Sequence, residues 1–409
     1  MRRLMAAIDA PARWLSIVGI GEDGADGLSP RARRLVEAAE LVFGGRRHLD
    51  LAGGLVRGEA RAWPSPFSVE PVLAARGRRA CVLASGDPFL HGVGATLARH
   101  VPASEMEVVP AASAFSLAAS RLGWPLQEVV MLSLHGRPLD LIRPHLHPRT
   151  RLLVLTSDSD GPAALASLLV EAGFRSAWLT VLEALGGDGE RLRTYPAEAF
   201  DAEDVHPLNI VAIETGDAPG ARILPFTAGL DDGLFEHDGQ LTKREVRALT
   251  LSALAPRRGE LLWDVGAGAG SVAIEWMLAD PSLRAIAVEV RADRAGRIGA
   301  NAARLGVPGL RVVTGEAPAA LSGLPAPDAI FIGGGASDPG VIDTALAALP
   351  ASRRIVVNAV TLQTEAILLA RHAELGGSLL RIALSRAAPV AGMIGWRPAM
   401  PITQWTWHK

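Results

Sequence analysis

Two periodicities alternate along the chain. Short runs rich in Val, Ile and Leu, LSIVGIG at 15–21, CVLASG at 81–86, EVVP at 107–110 and RLLVLTS at 151–157, are separated by Ala- and Leu-rich stretches of helical spacing such as 30–40 and 161–172. Strands that alternate with helices predict parallel sheets covered on both faces. The alternation restarts after residue 240, where LLWDVG, AIAVEV, LRVVTG, AIFIGG and RIVVNAV read as successive strands. Between the two series, TGDAPGARILPFTAGLDDGLFEHDGQ is rich in Gly, Pro and Asp and lacks periodicity, so it reads as a linker with a boundary near residue 225. A chain of 409 residues also exceeds what one core usually organises. The expectation is an α/β protein of two domains, 1–222 and 230–409.

Composition narrows the partners. Hydrophobic residues make up 49% of the chain, ample for two cores. A formal net charge of -2 and a single tyrosine offer neither a basic, aromatic face for nucleic acid nor a cationic field for a membrane surface. All basic residues but Lys243 and Lys409 are arginine, a skew that reads as genomic composition. Cys81, the only cysteine, cannot close an internal disulfide and reads as a buried strand thiol. The first 21 residues resemble a secretory leader, but Asp9, Pro11 and Arg13 break the apolar region. No uncharged apolar run approaches the roughly 20 residues of a membrane helix. A cytoplasmic, soluble protein with no nucleic-acid or membrane partner is expected, and exposed sheet edges suggest a homo-oligomer.

The stretch LLWDVGAGAG at 261–270 carries the clearest chemistry. Its apolar half reads as a buried strand ending in a tight turn, and SVAIEWML then has helical spacing, with Ser271 near the start. Glycine lets backbone approach a ligand closely, and the carboxyl end of such a strand is where open α/β sheets bind ligands. The dinucleotide fingerprint is G-x-G-x-x-G, whereas Gly266, Ala267, Gly268, Ala269 and Gly270 spell G-x-G-x-G. Asp264 would repel a pyrophosphate but suits an ammonium, and Glu289 at the end of AIAVEV is placed to accept hydrogen bonds from ribose hydroxyls. A ribose, an amino-acid head and no phosphate describe S-adenosyl-L-methionine. The competing reading is a structural turn without a cofactor.

The first series has three comparable loops. Ser29 reads as an N-cap with Pro30 at the first helical position after LSIVGIGEDG, where Gly19 and Gly21 fit either a nucleotide or a plain turn. Gly86, Asp87 and Pro88 form a second tight turn after an apolar strand, and Ser113 begins a helix in the third.

These residues resemble known families. DVGAGAG followed by AVEV and TGEAP resembles the class I methyltransferases. GLFEHDGQLTKREVRALTLSAL at 233–254 resembles, more narrowly, their C15-methylating, decarboxylating branch in cobalamin biosynthesis. That resemblance, over about 233–400, implies a Rossmann-like domain with cofactor contacts from Thr242, from Gly266 to Gly270, from Glu289 and from Ala317. FIGGGAS stands where amine methylases carry an Asn/Asp-Pro-Pro-aromatic motif, which argues against a base amine as acceptor. Residues 14 to about 215 resemble the tetrapyrrole methylases, which implies two α/β subdomains and cofactor contacts from Gly86, Asp87, Ser113 and Ala114. Glu22-Asp23 replaces that family's Pro-Gly, while the Gly-Glu-Asp-Gly form and LSLHGRP at 132–138 resemble its C5-methylating branch.

Together the resemblances imply a fused, bifunctional C-methyltransferase of corrin synthesis with two S-adenosylmethionine sites. The implied substrate is a metal-free precorrin, precorrin-6B, methylated at C5 and C15 and decarboxylated at the C12 acetate to precorrin-8X. Carbon methylation of an enamine-like carbon needs positioning rather than a metal or a protein nucleophile. No metal is expected from His145 and His147, which lack a third partner, and His91 and His135 read as structural. Ser85 shows no activating base. Carboxylate arms would be held by arginine or lysine, with Arg46, Arg47, Arg137, Lys243 and Arg244 as candidates. Rival readings are a nicotinamide oxidoreductase, a non-catalytic tetrapyrrole carrier, and a methyltransferase acting on RNA or another macrocycle.

Overall fold

A computed structural model describes residues 13–409; Asp9 and Pro11 of the leader-like segment lie outside the described residues. The chain divides into two compact units, Met1–Arg137 with His147–Arg222, and Pro138–Leu146 with Ile223–Lys409.

In the first unit, β1 (Leu15–Ile20), β2 (Leu41–Gly44), β3 (Glu59–Ala62), β4 (Ala80–Ser85) and β5 (Met106–Val109) form a sheet of order β3-β2-β4-β1-β5. Every neighbouring pair is parallel. Parallel strands are covered on both faces, and so β1 and β4 are almost wholly apolar and buried. Cys81 is buried in β4, where burial pushes its thiol up to about 12. Ser29 and Ser113 cap their helices, accepting from Ala32 N at 3.2 Å and Ser116 N at 3.1 Å.

The second sheet corrects the expectation of parallel pairing. β6 (Val129–Ser133), β7 (Arg151–Leu155), β8 (Trp178–Glu183), β9 (Arg191–Pro196) and β10 (Asn209–Glu214) are ordered β6-β7-β10-β8-β9. Only β6 and β7 run parallel; the other pairs are antiparallel. The connection between β8 and β9 is too short for the crossover a parallel pair needs.

In the second unit, β11 (Leu261–Val265), β12 (Arg284–Glu289), β13 (Arg311–Thr314), β14 (Ala329–Ile332) and β15 (Arg354–Ala359) pair in parallel. The sheet continues through strands the periodicity did not reveal. β16 (Ser378–Ile382) joins its edge, β17 (Ser385–Val390) and β18 (Met393–Pro398) form a separate hairpin, and β19 (Ile402–His408) runs antiparallel between β15 and β16. The order is β13-β12-β11-β14-β15-β19-β16. Ser271 does not cap its helix: Gly270 holds the cap position and Ser271 is the first helical residue, buried.

The segment read as a linker is packed from Leu224 onward. Leu224, Leu230 and Phe235 are buried in one cluster with Leu251 and Trp276, each such side chain stabilising by about 1.5–3 kcal/mol. Glu275 accepts from Gly229 N at 2.6 Å and Leu230 N at 3.0 Å, which satisfies the backbone of a stretch without regular structure. Among the described residues no helix is long and apolar enough to cross a membrane.

Candidate active sites

At the end of β11 the chain turns through Gly266, Gly268 and Gly270, with φ of 67°, 59° and 75°. These left-handed values favour glycine, yet each glycine answers a different neighbour. A Cβ at Gly266 would lie 2.6 Å from the Gly334 carbonyl oxygen, and one at Gly270 would lie 2.7 Å from Ile298 Cγ2. A Cβ at Gly268 would sit 3.1 Å from the Gln240 carbonyl oxygen, in the wall of a cavity of about 560 Å³. Thr242, Lys243, Gly266, Ala267, Gly268, Glu289 and Ala317 all line that cavity. Asp264, Ala269 and Gly270 are buried and do not line it, and Arg244 is exposed at the start of the helix Arg244–Leu254.

The two acids are fixed by backbone. Glu289 accepts from Gly268 N at 2.9 Å and from Arg291 N at 3.1 Å. Asp264 Oδ2 accepts from Ala273 N at 3.0 Å, while its Oδ1 is buried without a hydrogen-bond partner. Burial pushes the Asp264 carboxyl up to about 7; the Ala273 hydrogen bond opposes the rise and the Glu289 charge adds to it. An orphaned carboxylate oxygen, a second buried acid and a close backbone approach at Gly268 fit a ligand with a cationic head and a ribose, and disfavour a phosphate.

Further residues at this cavity escaped the sequence. Asn358 at the end of β15 lines it, its amide held by Thr250 Oγ1, 2.9 Å from Nδ2, and by Gln404 Nε2, 2.9 Å from Oδ1. The fully buried Arg247 donates to the carbonyl oxygens of Thr242 and Leu230 and to the Glu275 carboxylate, tying the approach segment to the helices. Neither set has a local motif, because the partners lie far apart in sequence.

In the first unit the loops after β1, β4 and β5 meet through backbone. Gly86 N donates to Ile20 O at 3.2 Å, and Ala111 N to Gly86 O at 3.1 Å. Gly19 serves this junction, since a Cβ there would lie 2.5 Å from Ala111 N. Gly21, Gly86, Asp87, Ser113, Ala114 and Arg137 line a cavity of about 570 Å³ in this unit. Gly19 does not; with Gly21 it borders a smaller one of about 210 Å³. The side chains of Asp87 and Ser113 also shape their loops, Asp87 accepting from Phe89 N at 2.8 Å.

Ser85 does have a neighbour of the kind the sequence did not show. β2 pairs with β4, Phe43 opposite Val82, so the carboxyl end of β4 lies beside the residues that follow β2. His48 Nε2 lies 2.8 Å from Ser85 Oγ, and Arg47 Nη2 lies 3.1 Å from the same oxygen. Arg47 is ion-paired with Glu22, and all four residues line the larger cavity. Burial, and then the Arg47 charge, push the His48 imidazole down to about 4. Among the described residues no three His, Cys, Asp or Glu side chains are grouped to hold a metal.

Residues 15–201 match the family described as Tetrapyrrole (Corrin/Porphyrin) Methylases, and residues 233–409 match the Precorrin methyltransferase domain. The chain is 62% identical over 97% of its length to a precorrin-6Y C(5,15)-methyltransferase [decarboxylating] of Sinorhizobium sp, covering 96% of that protein. It is also similar to two shorter proteins of Salmonella typhimurium. A cobalt-precorrin-7 C(5)-methyltransferase is 26% identical over 49% of this chain and 98% of its own length. A cobalt-precorrin-6B C(15)-methyltransferase (decarboxylating) is 33% identical over 40% of this chain and 85% of its own length.

Proposed function

The chain belongs to the family of decarboxylating precorrin-6Y C(5,15)-methyltransferases, and from that premise we propose a division of labour between its two units. The first, residues 1–222, methylates C5 of the corrin precursor. The second, residues 230–409, methylates C15 and releases carbon dioxide from the C12 acetate arm. Precorrin-6B would thus become precorrin-8X, at two S-adenosylmethionine sites per chain.

The observation that carries this reading is the acid-framed glycine turn of the second unit, with Glu289 bonded to Gly268 N and Asp264 to Ala273 N of the following helix. When bound there, S-adenosylmethionine supplies a methyl group made electrophilic by its sulfonium. The protein's part is to hold and aim. Glu289 accepts from the ribose, the Gly268 backbone lets the ligand lie close, and Asp264, buried behind the turn with one oxygen unpartnered, supplies negative charge that favours the ammonium head. Lys243 lines the same cavity and is available for a carboxylate arm, with Asp232 as its nearest acid at 3.9 Å. Arg244 is a weaker candidate, being exposed outside the lining. In the first unit Gly21, Gly86, Asp87, Ser113 and Ala114 would hold the second cofactor, and Arg137 a substrate carboxylate.

Existing similarity to separate C5 and C15 enzymes supports one reaction for each unit. Isothermal calorimetry with S-adenosylmethionine should give two sites per chain. Incubation with precorrin-6B and labelled cofactor should add two methyl groups and remove one carbon dioxide by mass. One binding site, or methyl gain without loss of carbon dioxide, would contradict the proposal.

A further inference from the structure

A methyl group delivered from a sulfonium arrives as a cation equivalent, and the macrocycle must then discharge one positive charge. In the decarboxylating step the arm does this itself: its C–C bond breaks, the electron pair enters the ring, and the carboxylate leaves as neutral carbon dioxide. That step needs no base. At C5 a new C–CH3 bond replaces C–H, and the C–H electron pair can return to the conjugated ring only if a group takes the proton. Resting on the reading of the first unit as the C5 catalyst, we propose that His48 is this proton acceptor, working through the Ser85 hydroxyl.

The geometry defines the direction of transfer. A guanidinium has donors only, so Arg47 Nη2, 3.2 Å from His48 Nε2 and 3.1 Å from Ser85 Oγ, favours an unprotonated Nε2. The imidazole proton then sits on Nδ1, which is buried without a hydrogen-bond partner. Ser85 Oγ–H points its proton at Nε2 over 2.8 Å. As the C5–H bond breaks, the proton passes to Ser85 Oγ while the serine proton passes to Nε2, and the imidazolium returns it to solvent after turnover. Glu22, paired with Arg47, offsets the guanidinium charge beside the developing imidazolium.

The other ionisable groups on the cavity are Asp87, His91, His135 and Arg137. In the free protein burial and Arg47 keep His48 neutral, hence an acceptor, across the physiological range. A polycarboxylate substrate brings negative charge that opposes Arg47 and raises proton affinity at the moment of need. Ser85, at the end of β4, one residue before Gly86 and two before Asp87, sets this proton relay beside the proposed cofactor loop.

The test uses the full chain. His48→Gln should lower kcat for C5 methylation about 100-fold with KM little changed, and the singly methylated, decarboxylated product should accumulate. Both cofactor sites should still titrate by calorimetry, which separates loss of the acceptor from loss of folding. Added imidazole should restore C5 methylation to His48→Gly, and nitrogen NMR of the wild-type protein should show His48 neutral with its proton on Nδ1 at pH 6. A His48→Gln kcat within threefold of wild type, or an imidazolium at pH 6, overturns the inference. Ala114→Arg, which fills the first cavity, distinguishes the two levels. If it abolishes C5 methylation while His48→Gln does not, the inference alone fails; if C5 methylation survives Ala114→Arg, the assignment of C5 to this unit fails and takes the inference with it.

Discussion

The two candidate sites solve the binding of one kind of ligand with different materials. The second unit uses a single strand-turn-helix with three left-handed glycines, Glu289 locked to the turn by Gly268 N and Asp264 locked to the following helix by Ala273 N. Around it are amides and buried ion pairs, the Thr250–Asn358–Gln404 lattice and Arg247 with Glu275. The first unit assembles its site from three loops joined by backbone hydrogen bonds, and adds a mobile-proton pair, His48 and Ser85, with Arg47 beside it. The difference follows the chemistry proposed for each: where carbon dioxide carries off the charge, the protein need only hold; where a proton must leave, it supplies an acceptor.

The largest expected effect separates the units outright. Gly268→Arg places a side chain at φ 59° and 3.1 Å from the Gln240 carbonyl oxygen, inside the proposed cofactor space. C15 methylation and decarboxylation should fall at least about 1000-fold, the scale of losing a positioned reactant. When the C15-methylated, decarboxylated intermediate is supplied, C5 methylation should stay within about threefold of wild type. Equal loss of both transfers in a folded protein, counted with labelled cofactor, would break the comparison.

A smaller effect tests the rigid frame of the second site. Arg247→Ala leaves Glu275 buried without its guanidinium and frees the Thr242 carbonyl. Removing one partner of such a pair destabilises by about 3–5 kcal/mol. Chemical denaturation should show that loss. Arg247→Met together with Glu275→Leu should recover much of it, because the uncompensated charge is gone. A single variant as stable as wild type would mean that the segment 229–242 is held by its buried Leu230 and Phe235 instead.

Much of the second unit was legible in sequence because its information is local. Five strands, the glycine turn and Glu289 follow one another along the chain, and the structure brings the turn, Thr242, Glu289 and Ala317 to one cavity. Ser29 and Ser113 were readable as caps for the same reason. What escaped was set by long-range pairing. His48 meets Ser85 across 37 residues because β2 lies beside β4, and that neighbourhood is a property of sheet order, which no window of sequence contains. The signal available was indirect: two polar loops, GGRRHL and ASGDP, each following an apolar strand at its carboxyl end. The antiparallel second sheet was hidden because β8 and β10 are themselves nearly continuous apolar runs, as a parallel strand would be. β17 and β18 were hidden because exposed strands interrupted by Pro or Gly carry little alternation, and β16 because it is short and largely exposed.

The most sensitive contrast is in pH. Asp264 in the ligand-free protein is pushed up to about 7, so between its ordinary 3.8 and 7 the native state holds a proton that the unfolded chain has released. The second unit's stability is therefore highest below that window and declines as pH rises through it. A cationic ligand favours the carboxylate and reverses the preference. Binding to the second site should then release a proton and tighten about tenfold from pH 6 to pH 8, the change expected when one group of pKa near 7 must ionise. The first site, with His48 already neutral throughout that range, should bind with nearly constant affinity. Calorimetry in two buffers of different ionisation enthalpy would read the proton directly. Asp264→Asn should flatten the second site's pH dependence while weakening it about 10-fold, the loss of a buried negative charge that faces a cation. If affinity at the second site is flat in the wild type, Asp264 does not meet the ammonium group, and Glu289 alone would remain as the acid that selects the ligand.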